Sequence, residues 1–179
     1  MLDTAQTALV LIDVQGKLAG LMHEKEALFR NLRILVQGCR ALDVPVFWLE
    51  QYPEGLGPTV PEIAELLEGE EALAKLCFSA CGQDEFAGRL RASGRRQILL
   101  AGIETHICVY QTACDLLREG YRVEVVEDAV SSRTAANRAI GLRKMEQLGA
   151  RSSSVEMALF ELLRRADDPR FKAVARLVK

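Results

Sequence analysis

Cys108 is the side chain in this sequence best placed to attack an electrophile. It stands in the run Gly102-Ile-Glu-Thr-His-Ile-Cys108-Val, after an apolar segment, Gln97–Gly102, that reads as a buried strand. The following residues, Tyr110-Gln-Thr-Ala-Cys-Asp-Leu-Leu117, read as a helix. In an open α/β sheet, ligands bind where the carboxyl end of a strand feeds the amino end of a helix. A thiol there meets unpaired backbone N–H groups and the positive end of the helix dipole, and both favour thiolate. Its pKa is therefore expected below the free-thiol value of about 8.5. On this segment alone, a small buried hydrophobe is the commoner role for an intracellular cysteine.

Two further segments supply what a thiol nucleophile needs. The apolar strand Ala8-Leu-Val-Leu-Ile12 runs straight into Asp13, which puts a carboxylate at the same sheet edge as Cys108. Lys75 opens the run Lys75-Leu-Cys-Phe-Ser-Ala80, entered by Ala72-Leu-Ala74. Taken singly, Asp13 fits a turn or cap and Lys75 a solvated surface position. Taken together, the carboxylate can accept the thiol proton and the ammonium can favour the thiolate.

Bringing three such residues to one edge requires a particular succession of elements. Strands are predicted at Ala8–Ile12, Pro45–Glu50, a short one near Ala72–Cys77, Gln97–Gly102, Arg122–Glu127 and Arg151–Ser154. Continuous apolar runs such as Ile98-Leu-Leu-Ala101 suit parallel strands covered on both faces. Glu24–Leu42 carries Leu28, Leu32, Leu35, Val36 and Cys39 at helical spacing. Further helices are predicted over Pro61–Leu67, Gln83–Ala92, Ile107–Glu119, Thr134–Leu148 and Val155–Arg165. Gly94, Gly120 and Gly149 stand where helices close, and Ser153 with Glu156 three residues on matches a capping box. Strands alternating with helices through right-handed crossovers give a three-layer, Rossmann-like α/β fold with a mostly parallel six-stranded sheet. A chain of 179 residues suits one such domain, spanning residues 1–179.

Composition narrows the function classes. A formal charge of −2 gives no reason to expect a nucleic-acid partner or an anionic membrane surface. No apolar run approaches the roughly 20 residues that span a bilayer, and the first strand is too early and too short for a signal peptide. Five cysteines, an odd number without a regular framework, fit reduced thiols in a cytoplasmic protein. Cys39, Cys77, Cys81 and Cys114 read as packing residues, and the spacing of Cys77 and Cys81 alone makes no zinc site. With two histidines in the chain, a histidine-based catalytic or metal site has little support. His23 reads as a surface residue. His106 lies two residues from Cys108, so the two side chains diverge, and His106 is expected to line the pocket or an interface. No G-x-G-x-x-G follows the first strand, where Asp13-Val-Gln-Gly stands instead, so no dinucleotide cofactor is expected.

Five segments in order resemble those of the isochorismatase-like cysteine hydrolases. They are Leu11-Ile-Asp13-Val-Gln15, Glu50-Gln-Tyr-Pro-Glu-Gly-Leu-Gly57, Lys75-Leu-Cys-Phe-Ser-Ala80, Gly102-Ile-Glu-Thr-His-Ile-Cys108-Val and Asp128-Ala-Val-Ser-Ser-Arg133. The resemblance covers nearly the whole chain, and the second segment resembles the isochorismatase domain-containing subgroup. It implies the strand order 3-2-1-4-5-6 and a cis peptide between Ile103 and Glu104. It also implies an oxyanion hole from the backbone N–H groups of Glu104 and Cys108, and a homo-oligomer of two or more chains. Trp48, Tyr52, Tyr110 and Phe160 are candidates for an aromatic subunit contact. Nicotinamidases of this superfamily carry an Asp-x-His…His metal site after the second strand. Here that stretch reads Trp48-Leu-Glu-Gln-Tyr52 without histidine, which argues against zinc and against nicotinamide as substrate.

These readings converge on a metal-independent cysteine hydrolase of a small amide or related C–N substrate. Cys108 would form a thioester, Asp13 would act as base and proton shuttle, and Lys75 would hold the thiolate and orient Asp13. Gln15, Tyr52 and His106 complete the candidate pocket. Gln15 fits a cap equally well, and Tyr52 with Glu54-Gly-Leu-Gly-Pro58 fits a turn that merely reverses the chain. Asp128–Arg133 is assigned structural support, with Arg133 alternatively a partner for an anionic substrate. A catalytically silent binding or interaction protein of the same fold is the alternative.

Overall fold

The structure, a computed structural model, describes residues 1–179. Its strands are β1 (Thr7–Ile12), β2 (Val46–Gln51), β3 (Leu73–Lys75), β4 (Gln97–Ile103), β5 (Arg122–Ser131) and β6 (Arg151–Ser153). Its helices are α1 (Gly16–Ala19), α2 (Lys25–Ala41), α3 (Pro53–Leu56), α4 (Pro61–Ala64), α5 (Asp84–Ala92), α6 (Tyr110–Arg118), α7 (Ala135–Gln147), α8 (Val155–Leu163) and α9 (Phe171–Leu177). The sheet order is β3-β2-β1-β4-β5-β6, as the resemblance implies, and every ladder is parallel rather than most of them.

Alternation along the buried strands builds the three layers. Leu9 and Leu11 of β1 and Leu99 and Ala101 of β4 join the core under α2, α8 and α9. Their neighbours Ala8, Val10, Ile98 and Leu100 join the opposite core, with Phe86 of α5, Leu116 of α6 and Met145 of α7. The α2 stripe read from the sequence is the buried one: Leu28, Leu32, Leu35, Val36 and Cys39 all face the sheet. Each such leucine contributes about 1.5–3 kcal/mol by leaving water.

The sheet register lines up the chemistry. Ile12 at the end of β1 pairs with Leu49 of β2 and Gly102 of β4, and Gln51 pairs with Lys75. Asp13, Lys75 and the turn after Ile103 therefore leave the same carboxyl edge. Gly102 is required there: its φ is +114°, and a Cβ would lie 2.1 Å from the Ile12 carbonyl oxygen.

Several boundaries differ from the sequence reading. The strand expected at Arg122–Glu127 continues to Ser131, because its ladder with β4 resumes after an irregularity at Leu100/Gly102. Asp128 through Ser131 thus belong to β5. The expected capping box is displaced by one residue: β6 keeps Ser153, and the Ser154 hydroxyl accepts from the Met157 N–H at 3.2 Å. Pro61–Leu67 divides into α4 and a 3₁₀ turn over Glu65–Leu67. The short α1 and α3, and α9 near the carboxyl terminus, were not anticipated. The four candidate interface aromatics do not form one patch. Trp48 and Phe160 pack on one core and Tyr110 on the other, while Tyr52 is half exposed. No helix is long and apolar enough to cross a membrane.

Candidate active site

Asp13 follows the last residue of β1 and adopts φ +52°. That left-handed conformation is uncommon for a side-chain-bearing residue, though aspartate tolerates it better than most. Its N–H donates to the Leu49 carbonyl at 3.1 Å and its carbonyl accepts the Gln15 N–H at 2.8 Å, which pins the turn. The carboxylate is buried, and Oδ2 accepts from Lys75 Nζ at 2.7 Å. Oδ1 is buried without a hydrogen bond of regular geometry, and the thiol of Cys108 lies beside this carboxylate. Burial pushes the Asp13 pKa above its usual range; Lys75 and the Cys108 thiol oppose that shift, and Glu50 adds to it.

The Lys75 ammonium is enclosed, with no side-chain exposure. Besides Asp13 it donates to Gln51 Oε1 at 2.7 Å, and it faces the carbonyls of Phe78 at 3.1 Å and Cys77 at 3.3 Å. An ammonium has three protons, so these acceptors use all of them. The sequence reading gives Lys75 two roles, to favour the thiolate electrostatically and to orient Asp13. In the structure every N–H of Lys75 goes to an oxygen, and its influence on Cys108 is electrostatic and through Asp13.

Cys108 does not begin an α-helix. Thr105–Val109 form a π-type turn ahead of α6, closed by Val109 N–H to the Glu104 carbonyl at 3.3 Å. This wide turn seats closely on α7, where a Cβ at Gly141 would come within 2.9–3.0 Å of Thr105 O and the His106 backbone. The expected low thiol pKa is overturned: burial, followed by the negative charge of Asp13, pushes it up to about 12 despite Lys75. The resting Cys108 side chain is a neutral thiol, and any nucleophilic role for it requires a base to remove its proton.

The Ile103–Glu104 peptide is cis. The Glu104 N–H makes no hydrogen bond within the chain. Its buried carboxylate accepts from the Arg133 N–H at 2.9 Å and from Arg133 Nε at 3.2 Å. Arg133 thus braces this loop. Asp128 also braces: its Oδ1 accepts the Val155 N–H at 2.9 Å and its carbonyl accepts from Asn31 at 2.8 Å.

The remaining pocket candidates separate. Gln15 is fully buried, and its amide is consumed by backbone: Nε2 donates to Gln51 O and Gly57 O, and Oε1 accepts the Gln51 N–H. It is a brace and has no free group for a substrate. His106 Nδ1 lies 2.9 Å from Ser132 Oγ, and the ring makes no hydrogen bond to Asp13, Lys75 or Cys108. Tyr52 is half exposed on the loop after β2. No cluster of three His, Cys, Asp or Glu side chains is placed to hold a metal ion. Glu50 Oε1 accepts from the Thr59 N–H and hydroxyl at 2.7 Å each. Gln51, whose Oε1 accepts from Lys75, is a site residue that the sequence does not single out: it lies in the Glu50-Gln-Tyr segment, but a glutamine at a strand end carries no chemical signal of its own.

A model of the isochorismatase domain matches residues 7–157. Isochorismatase domain-containing protein 2A of Mus musculus is 43% identical over 147 residues, which span 81% of this chain and 69% of that protein. Among solved structures, the MAR1 ribonuclease of Caenorhabditis elegans matches with a TM-score of 0.94 at 36% identity, over 99% of this chain and 91% of the other. YcaC of Escherichia coli, described as an octameric hydrolase of unknown specificity, matches with a TM-score of 0.93 at 26% identity, over 98% and 88%. Its counterpart from Pseudomonas aeruginosa, described with hexane-2,5-diol and covalent acrylamide, gives 0.90 at 26% over 99% and 95%. Motifs, strand order and these matches agree: the fold is that of an isochorismatase-like hydrolase, and this chain belongs to the isochorismatase family.

Proposed function

We propose that this protein is a metal-independent cysteine hydrolase that opens a small amide or related C–N bond through a thioester on Cys108. The observation that carries the reading is the buried Asp13–Lys75 pair, with one carboxylate oxygen left without a hydrogen bond and the Cys108 thiol beside the carboxylate. A raised proton affinity suits Asp13 to take the proton of a thiol that does not ionise unaided. As Sγ attacks the carbonyl carbon, the C–S bond forms and Asp13 holds the proton. The C–N bond then breaks, the proton passes to the leaving nitrogen, and a thioester remains. Water attacks that thioester with Asp13 as base, releasing the acid and restoring the thiol. Throughout, Lys75 compensates the charge on Asp13. The N–H groups of Glu104 and Cys108 are assigned to the developing oxyanion; preorganised donors of this kind dominate acyl transfer.

The lack of histidine in the Trp48–Tyr52 stretch supports metal independence. The covalent acrylamide described for the Pseudomonas YcaC supports a nucleophilic group in this fold. The proposal extends to a single cytoplasmic domain that uses no cofactor and assembles with copies of itself. Exposed Tyr52, Leu76 and Phe78, all on loops at the site edge, and the octamer described for Escherichia coli YcaC support assembly.

The name of the nematode neighbour raises a second reading, RNA cleavage. Here the site favours it less: the enclosed Lys75 has no proton left for a phosphate, and the formal charge of −2 is no electrostatic footprint for RNA. One experiment separates the readings. A panel of small neutral amides and a single-stranded RNA are incubated with the wild type and Cys108→Ala, in the presence of chelator. Release of ammonia or amine by the wild type alone is the expected result. RNA cleavage that survives Cys108→Ala would replace the proposal, and absence of both turnover and acyl adduct would favour a silent binding protein.

A further inference from the structure

We propose that Gln51 is a positioning residue: it fixes the Lys75 ammonium against Asp13 and so sets the proton affinity of the base that activates Cys108. The inference rests on the thiol-hydrolase reading above and adds a fourth side chain to it. Gln51 closes β2 opposite Lys75 in the ladder, and Tyr52 N–H donates to the Lys75 carbonyl at 2.9 Å, so the two strand ends are locked in register.

Gln51 is held at its backbone and at both ends of its side-chain amide. Its backbone N–H donates to Gln15 Oε1 at 2.6 Å, and its Nε2 donates to the Leu76 carbonyl at 2.9 Å. The second bond decides which way the amide points, because only the NH₂ end can satisfy a carbonyl. Oε1 is thereby turned to Lys75 Nζ at 2.7 Å, as short as the bond from Nζ to Asp13. The other acceptors of Nζ, the Cys77 and Phe78 carbonyls, are longer and share its third proton. Two short bonds therefore define where the ammonium sits, one to the base and one to Gln51. Gln15, itself fully buried and tied to Gln51 O and Gly57 O, anchors the series from behind. The order of contact is Gln15, Gln51, Lys75, Asp13, Cys108.

Removing the Gln51 acceptor lets the ammonium swing toward the two carbonyls and away from Asp13. Lys75 is the main group that lowers the proton affinity of Asp13; the others facing the carboxylate are the Cys108 thiol from the π-type turn and Glu50 from β2. A looser Lys75 thus raises the Asp13 pKa further, which shifts the pH at which the base becomes available.

The test needs no substrate. Iodoacetamide alkylation of Cys108 is followed by peptide mapping across pH in the wild type, Gln51→Met and Gln51→Glu, with melting curves to verify folding. Methionine keeps the length and removes the acceptor; glutamate keeps an acceptor for Lys75 but adds a second buried carboxylate that competes with Asp13 for it. Both changes should raise the proton affinity of Asp13, the like charge of glutamate at least as much as the missing acceptor of methionine. Gln51→Met should move the acid limb of the Cys108 profile to higher pH, slowing alkylation about 10- to 100-fold below the wild-type midpoint, the range for a hydrogen bond to a charged group. Gln51→Glu should move the acid limb at least as far. If Gln51→Met does not fold, Gln51→Glu decides alone: an acid limb in the folded variant that coincides with that of the wild type overturns the inference. A Gln51→Met profile superimposable on wild type, or one lowered equally at every pH, also overturns it. Unreactive Cys108 in the wild type would instead remove the hydrolase reading on which the inference stands.

Discussion

At the scale of the residue, the site is a problem in burying charge. A carboxylate and an ammonium in contact away from water are tolerated because each compensates the other, and removing one partner from such a pair costs about 3–5 kcal/mol. Asp13→Asn and Lys75→Met should therefore each lower stability by an amount of that order, read by urea unfolding. The double variant should recover most of the loss, while all three leave Cys108 unactivated. A double variant no more stable than the singles would show that the two side chains do not act as a pair. The pH dependence follows from the same burial. Asp13 must be ionised to take the thiol proton, and its pKa lies above the ordinary carboxylate value of 3.8, so Cys108 reactivity should rise with pH through a midpoint above that value. With its own pKa pushed up to about 12, Cys108 should show no inflection near 8.5. An inflection there would mean that the thiol ionises independently of Asp13.

At the scale of the element, precision comes from how closely β1 and β4 approach. Gly102→Ala would press a methyl on the Ile12 carbonyl, one residue from Asp13, and at φ +114° alanine is strained in any case. Destabilisation beyond about 1 kcal/mol, together with slower Cys108 alkylation, is expected from melting and labelling measurements; an unperturbed variant would contradict the tight register. Much of this arrangement was legible in the sequence. Apolar runs ending in Asp13 and Lys75 already placed both at one sheet edge, since a parallel strand covered on both faces leaves chemistry only at its end. The π-type turn was not legible, because it depends on the close approach of α7 at Gly141, a contact between segments distant in the chain. The raised thiol pKa is illegible for a similar reason: position after a strand says nothing of how deeply the sulfur is buried. β5 was cut short because Asp128 interrupts an apolar run, although its carboxylate is satisfied by the Val155 N–H.

At the scale of the molecule, Leu76, 77% exposed, and Phe78, 52% exposed, stand on the loop whose carbonyls hold Lys75. Apolar side chains so exposed beside a candidate site are natural subunit contacts. Light scattering should give a mass at least twice the 19.8 kDa of one chain. Leu76→Glu combined with Phe78→Glu should shift that mass toward the monomer. A concentration-independent monomer in the wild type would contradict assembly while leaving the chemistry of Cys108 untouched.

The central claim, that Asp13 activates Cys108 as the nucleophile, is tested most directly by competition among the five thiols of the folded protein. Cys77, Cys81 and Cys114 are half-buried, whereas Cys108 is only 7% exposed. Accessibility alone therefore favours the other three. Substoichiometric iodoacetamide at neutral pH, followed by peptide mapping, should nevertheless modify Cys108 first, and Asp13→Asn should abolish that preference. Labelling of Cys77, Cys81 or Cys114 ahead of Cys108, or a preference for Cys108 that survives Asp13→Asn, would contradict the account.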